Sequence, residues 1–199
     1  MGRMTKSIAA VVGLAVGLTV LAMGPAAEQQ GRAMAEDEGR LGLIIDGARH
    51  AADATDRQIV EARTVAATPT QCWQRWTTGD GVATFMSSEN SIDLRVGGAF
   101  EVLFAMQLPE GQRGSENCRI LSYVPERMLS FEWNAPPTFP QVRQERSRVV
   151  VFFEPVDGGT RVELVHLGFG QGEQWDQVYE YFTKAWARVM DRFAGFAEA

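Results

Sequence analysis

The stretch SRVVVFFEPVDGGTRVELVHLGF, residues 147–169, decides the fold. Two runs rich in β-branched and aromatic residues flank a short polar turn, and Asp157-Gly158-Gly159 within that turn is a strong hairpin signal. The pattern therefore predicts two antiparallel strands. Because side chains alternate between the two faces of a strand, we expect Val162, Leu164 and His166 to share one face.

The segment after this hairpin, residues 173–196, has the pattern of one long helix. Large apolar side chains recur every third or fourth position, which is the spacing of a single helix face. They are Trp175, Val178, Tyr179, Phe182, Trp186, Val189, Met190 and Phe193. A sheet with one apolar face needs a cover, so we expect this helix to lie across the sheet.

The chain before the hairpin alternates turns with short periodic runs. Thr68-Pro69 suits a helix N-cap followed by Pro at the first helical position, and Gly79-Asp80-Gly81 should separate a helix ending near Thr77 from a second one at 82–86. Together with the hairpin, seven strands are predicted, at residues 58–66, 91–96, 99–107, 115–124, 128–134, 147–154 and 160–169.

This order of elements resembles the helix-grip fold of the START and Bet v 1-like (SRPBCC) superfamily. Within it, residues 57–197 resemble the branch named after the activator of Hsp90 ATPase. The matching residues are Ala67-Thr68-Pro69, Arg95-Val96-Gly97-Gly98, Ile120 with Pro125, Gly159-Thr160-Arg161-Val162, His166-Leu167-Gly168-Phe169 and Trp186. The resemblance implies an α+β domain over residues 57–199, in which a curved antiparallel sheet, two short helices and a long C-terminal helix enclose an apolar cavity.

Members of this superfamily hold lipids, sterols, polyketides or aromatic compounds in that cavity, and some are cyclases or hydrolases. In this chain, large flat side chains are expected to face inward and to bind a small apolar or aromatic molecule. They are Trp73, Trp76, Phe85, Phe100, Phe104, Phe131, Trp133, Phe153, Phe182 and Trp186. His166 is expected to contact the same ligand. The alternative is that these rings simply fill the interior.

His166 is the only candidate catalytic residue, because a neutral imidazole in phase with Val162 and Leu164 can exchange a proton near pH 7. It stands alone, however, and a packing or hydrogen-bonding role is the competing interpretation. Three glutamates that alternate with the apolar residues should face outward into solvent. They are Glu101, Glu132 and Glu163.

The first 27 residues have the features of a secretory leader: Arg3 and Lys6, an uncharged stretch at 8–23, and then small residues. Cleavage after Ala26 or after Ala35 fits, and an uncleaved leader would instead tether the protein to a membrane. We therefore expect an exported protein, periplasmic or secreted. Residues 28–56 are predicted to be a linker, in which His50 is solvated.

The charge and the motifs of the sequence argue against several classes of function. The formal net charge of −6 argues against nucleic-acid binding. No metal site, cofactor or nucleotide loop is expected, since the two histidines lie far apart and no P-loop or Cys-x-x-Cys is present.

Cys72 and Cys118 are either two buried thiols or a disulfide. The segment 135–140 is either a rim of the cavity or a stiff turn. Arg143 belongs to a cluster at the start of a strand that is expected to be solvated, with an acidic partner as the alternative.

Three functions stay open from the sequence. The leading one is an exported protein that binds a small apolar or aromatic ligand between the sheet and the last helix. The second is a module that binds a protein partner, of the kind that regulates a chaperone. The third is a cyclase-like or hydrolytic enzyme that uses His166, which would need a second buried polar group near the imidazole.

Overall fold

The computed structural model of the protein describes residues 57–195. The predicted leader at 1–27, the predicted linker at 28–56 and His50 lie outside the described residues. None of the helices in the described part has both the length and the hydropathy that crossing a membrane requires.

The domain contains one antiparallel sheet of five strands and a separate pair of short strands. In chain order the strands are β1 (Ile59–Val65), β2 (Asn90–Ile92), β3 (Phe100–Val102), β4 (Ile120–Val124), β5 (Met128–Trp133), β6 (Ser147–Val156) and β7 (Gly159–Leu167). The large sheet has the order β1-β7-β6-β5-β4, and β2 pairs with β3. This arrangement confirms the predicted α+β helix-grip fold.

The predicted hairpin is confirmed by strands β6 and β7, which pair from Arg148 opposite Leu167 to Val156 opposite Gly159. Gly158 adopts a positive φ of 83°, the left-handed conformation that a tight turn requires and that glycine reaches without strain. The alternation also places the strand residues as expected, because Val162, Leu164 and His166 are all fully buried.

Two short helices follow β1. Helix α1 (Pro69–Thr77) begins with a capping box, in which the Thr68 hydroxyl accepts from the Gln71 backbone and the Gln71 side chain accepts from the Thr68 backbone. The second helix, α2 (Gly79–Ala83), starts earlier than predicted. The reason is that the Thr78 side chain accepts from the Gly81 backbone N–H and caps a helix through the glycines.

The long helix α3 (Glu173–Ala194) packs its apolar stripe on the sheet. Its buried residues are Trp175, Val178, Phe182, Trp186, Val189, Met190 and Phe193. Polar contacts also attach it to the edge strand β1 and the residue before it, since Asp191 pairs with Arg63 and the Tyr179 hydroxyl donates to the Gln58 carbonyl at 2.9 Å. Each fully buried large side chain contributes about 1.5–3 kcal/mol, so this stripe dominates the attachment of the helix.

The outward-facing glutamates are more engaged than predicted. Glu163 is buried because the guanidinium of Arg161 covers its carboxylate in an ion pair. Glu101 accepts a hydrogen bond from the Asn117 backbone at 2.7 Å, and Glu132 accepts one from the Arg119 backbone at 3.1 Å. These carboxylates therefore hold neighbouring chain segments rather than standing free in solvent.

Candidate functional site

A cavity of about 320 Å³ lies between helix α3 and one end of the large sheet. Its aromatic walls come from Phe182 and Trp186 on the helix and from Trp133 at the end of β5. The segments 112–115 and 134–137 form the remaining sides. The apolar loop predicted either as a rim or as a stiff turn thus contributes three residues, Ala135 to Pro137, to the cavity wall.

Four of the ten predicted aromatic residues line this cavity, namely Phe104, Trp133, Phe182 and Trp186. The ring centroids of Trp133 and Trp186 are 5.3 Å apart, and the rings of Phe182 and Trp186 are inclined by only 23°. Large flat aromatic surfaces suit a planar or an apolar guest.

The other six aromatic residues belong to the packed core and do not line the cavity. Trp76 packs edge-on against Phe85 at 4.9 Å, and Phe100 stacks on Phe131 at 3.8 Å. Trp73 and Phe153 form a further edge-to-face pair at 5.6 Å. For these six positions the geometry favours the interpretation that the rings fill the interior.

Phe104 departs from the prediction that its ring faces inward, because the residue is 54% exposed although Phe100 and Val102 in the same predicted strand are buried. The physical reason is that β3 ends at Val102, where its partner strand β2 begins at Asn90. Beyond that point the backbone is no longer held in a regular ladder. Phe104 therefore lies at the mouth of the cavity, half in solvent, and its neighbour Met106 is also exposed.

His166 is fully buried and hydrogen-bonded at both ring nitrogens. The Trp186 indole N–H donates to His166 Nδ1 at 2.8 Å, and an indole can only donate, so Nδ1 is unprotonated and Nε2 carries the hydrogen. Nε2 then donates to the Ser147 hydroxyl at 2.8 Å, and that hydroxyl donates to the Trp133 carbonyl at 3.2 Å. This chain, the His166 network, connects helix α3 to strands β7, β6 and β5.

Burial lowers the pKa of His166 to about 3, from an ordinary value of 6.5. The imidazole is therefore neutral near pH 7, and neither nitrogen is free to exchange a proton with a substrate. His166 also does not line the cavity. The arrangement favours the packing and hydrogen-bonding interpretation over the catalytic one.

Arg143 is a site residue that the sequence pattern missed. It was expected in a solvated cluster, yet only 7% of its side chain is exposed, and it lines the cavity. Its guanidinium pairs with Glu116 at 3.3 Å and donates to the carbonyls of Gly111, Gly114 and Ala135. Burial lowers the pKa of Arg143, and the nearby Glu116 carboxylate opposes that effect. Arg143 therefore holds the two loops that form the cavity walls.

The two cysteines are free and buried. Burial raises the pKa of both thiols, that of Cys118 to about 12, so neither is an activated nucleophile. Within residues 57–195 no group of three or more His, Cys, Asp or Glu side chains is placed to hold a metal ion.

Solved structures with the same fold come from several bacteria. Protein MLL2253 from Mesorhizobium loti superposes with a TM-score of 0.58 at 20% identity, covering 71% of this chain and 97% of that one. The Aha1 dimer from Colwellia psychrerythraea gives 0.54 at 16% identity, with 70% and 94% covered. CalU16 from Micromonospora echinospora gives 0.51 at 22% identity, with 71% and 76% covered.

A comparison with curated proteins found no match. The family model described as activator of Hsp90 ATPase homolog 1-like protein matches residues 66–198, which is more than half of the 199 residues. The match covers strands β2 to β7, the residues that line the cavity and the long helix, and it confirms the resemblance drawn from the sequence. The chain therefore belongs to the activator of Hsp90 ATPase homolog 1-like family, within the SRPBCC superfamily.

Proposed function

We propose that the protein is an exported binding protein that holds a small apolar or aromatic molecule between helix α3 and the end of the sheet. The observation that carries this proposal is the cavity of about 320 Å³ with its aromatic walls. That volume falls at the lower end of the range of small-molecule sites, about 300–1,000 Å³. A single compact molecule is therefore the expected guest.

The residues around the cavity also support a preformed site. The His166 network fixes the Trp186 indole, and Arg143 fixes the two loops that form the opposite walls. A cavity whose walls are already ordered loses little conformational entropy when a ligand enters. Binding should then occur with small movements of the backbone.

The direct test fills the cavity by mutation. Ala185 lines it and is small, so Ala185→Phe should occupy the space with a ring and abolish binding of an aromatic probe. Thr183→Phe is the matched control, because Thr183 is on the same helix, is exposed and does not line the cavity. Isothermal titration with a panel of flat aromatic and short-chain lipid probes measures binding. Equal affinities in the two variants would contradict the placement of the site.

A protein-interaction module is the second candidate, and one observation favours it. Phe104 and Tyr181, which both line the cavity, are 54% and 46% exposed, and large exposed apolar side chains favour contact with a partner. The family description names activation of the Hsp90 ATPase. On this proposal the purified domain raises the ATPase rate of an Hsp90-type chaperone, and Phe104→Glu removes the effect. An unchanged rate with the native domain would contradict it.

Export is the other untested part of the proposal. It rests on the basic start, the uncharged stretch at 8–23 and the small residues that follow. N-terminal sequencing of the protein from cell fractions tests it directly. A mature chain that begins after Ala26 or after Ala35 supports cleavage, an intact chain in the membrane fraction supports tethering, and an intact chain in the cytoplasmic fraction would contradict export.

A further inference from the structure

The charges around the cavity all have one sign. Four of the residues that line it are arginines, Arg113, Arg143, Arg188 and Arg192, and none is an aspartate or glutamate. The whole chain, in contrast, has 25 acidic and 19 basic residues. The cavity mouth is therefore a basic region on an acidic protein.

Among the described residues, only one of these arginines has a carboxylate partner. Arg143 pairs with Glu116, whereas no carboxylate in the described part of the chain pairs with Arg113, Arg188 or Arg192. Arg113 does donate from Nε to the Leu108 carbonyl at 2.9 Å, which holds its side chain in place beside the cavity. Within residues 57–195, three positive charges at the mouth are thus left without a carboxylate partner.

The helix carries this charge at a cost in stability. Arg188 and Arg192 are one turn apart on α3, where like charges repel. The negative C-terminal end of the helix dipole accounts for a cation in the last turn, at Arg192. It does not account for Arg113, which comes from a different segment, or for both arginines of the helix facing one cavity.

We propose that the ligand of this cavity is an amphipathic carboxylate whose aromatic or aliphatic body lies against Trp133, Phe182 and Trp186 and whose carboxylate binds at Arg188 and Arg192. This inference rests on the proposed binding function and specifies the ligand class. A guanidinium has planar donors that match the two oxygens of a carboxylate. The apolar wall alone would accept a neutral molecule equally well, so the arginines supply the selection.

The test compares two probes of the same shape, 2-naphthoate and 2-naphthamide, by isothermal titration at low salt. A hydrogen-bonded charge pair strengthens binding by about tenfold or more, so the naphthoate should bind at least about tenfold more tightly. That preference should shrink as salt is raised. It should disappear in Arg188→Gln/Arg192→Gln, while Lys184→Gln, an exposed residue one turn earlier that does not line the cavity, should keep it.

The outcomes separate this inference from the proposal on which it rests. If both probes bind equally and Ala185→Phe abolishes both, the carboxylate inference is overturned and the binding function stands. If naphthoate binds but Ala185→Phe leaves its affinity unchanged, the anion binds outside the cavity, which also overturns the inference. If neither probe binds the native protein, the aromatic ligand class and the inference fail together.

Discussion

The His166 network predicts that the protein loses stability between pH 7 and pH 5. The imidazole has a pKa lowered by burial to about 3 in the folded protein and an ordinary pKa of 6.5 in the unfolded chain. Between these values the unfolded chain binds more protons than the folded one, so lowering the pH favours unfolding. The contribution of neutral His166 to the free energy of unfolding is fully present above pH 6.5 and declines as the pH falls toward 3.

The magnitude follows from the size of the window. One pKa unit corresponds to about 1.4 kcal/mol, and pH 5 lies one and a half units below the unfolded value, so the expected loss in free energy of unfolding is about 2 kcal/mol. The cause of the lowered pKa of His166 is burial. A proton on His166 Nδ1 would in addition face the indole N–H of Trp186, which already donates to that nitrogen. Protonation would also place a charge among Phe169, Phe182 and Trp186.

Urea unfolding at pH 7 and pH 5 measures the effect in native protein, His166→Gln and His50→Gln. Glutamine can accept from Trp186 and donate to Ser147 but does not titrate, so the loss at pH 5 should fall by about 2 kcal/mol in that variant. His50→Gln is the control for the other histidine, which the sequence predicts to be solvated. If native protein and His166→Gln lose the same stability between the two pH values, the reasoning is refuted.

Three further predictions concern other parts of the domain. Arg143→Met removes the ion-pair partner of the mostly buried Glu116 carboxylate, which keeps only its backbone N–H donors, and also leaves the carbonyls that Arg143 satisfies without that donor. The free energy of unfolding should fall by about 3 kcal/mol, whereas a loss below about 1 kcal/mol would disprove the structural role. In the β6–β7 turn, Gly158→Ala meets open space and should cost about 1 kcal/mol through its left-handed backbone. Gly159→Ala should cost clearly more in the same urea assay, since its Cβ would meet a β1 carbonyl oxygen at 2.0 Å; equal losses would contradict this. The Cys118 thiol, with its pKa raised by burial to about 12, should react with a disulfide reagent at pH 8 only after unfolding, so rapid labelling of the folded protein would contradict its burial.

The parts of the fold that follow local rules were predictable from the sequence. The β6–β7 hairpin is encoded by Asp157-Gly158-Gly159 and by the alternation on either side, and the same alternation correctly buries His166. The stripe of helix α3 is equally local, because its residues recur at the period of the helix itself. Both elements can be predicted because the residues that determine them are close together in the sequence.

The parts that depend on distant contacts were not predictable. In the sequence, nothing distinguishes Arg143 from the other basic residues just before β6. Only the folded chain brings Glu116 and the carbonyls of Gly111 and Gly114 around its guanidinium. Phe104 continues an apolar alternation, but the ladder that would bury it stops at Val102. Likewise, nothing in the spacing of the aromatic residues distinguishes those that line the cavity from those that fill the core.

The pairing of β1 has a consequence for the order of folding. Strand β1 is the first strand of the domain and β7 the last, and Ile59 lies opposite His166, far away in the sequence. Strands β1 and β4 are the two edges of the sheet, so within residues 57–195 strand β1 pairs with β7 alone. Contacts between such distant segments form slowly, because the closure of a long loop must precede any gain from pairing. During synthesis the first strand therefore stays unpaired until the β6–β7 hairpin is complete, and a chain that ends before Gly159 cannot close the sheet.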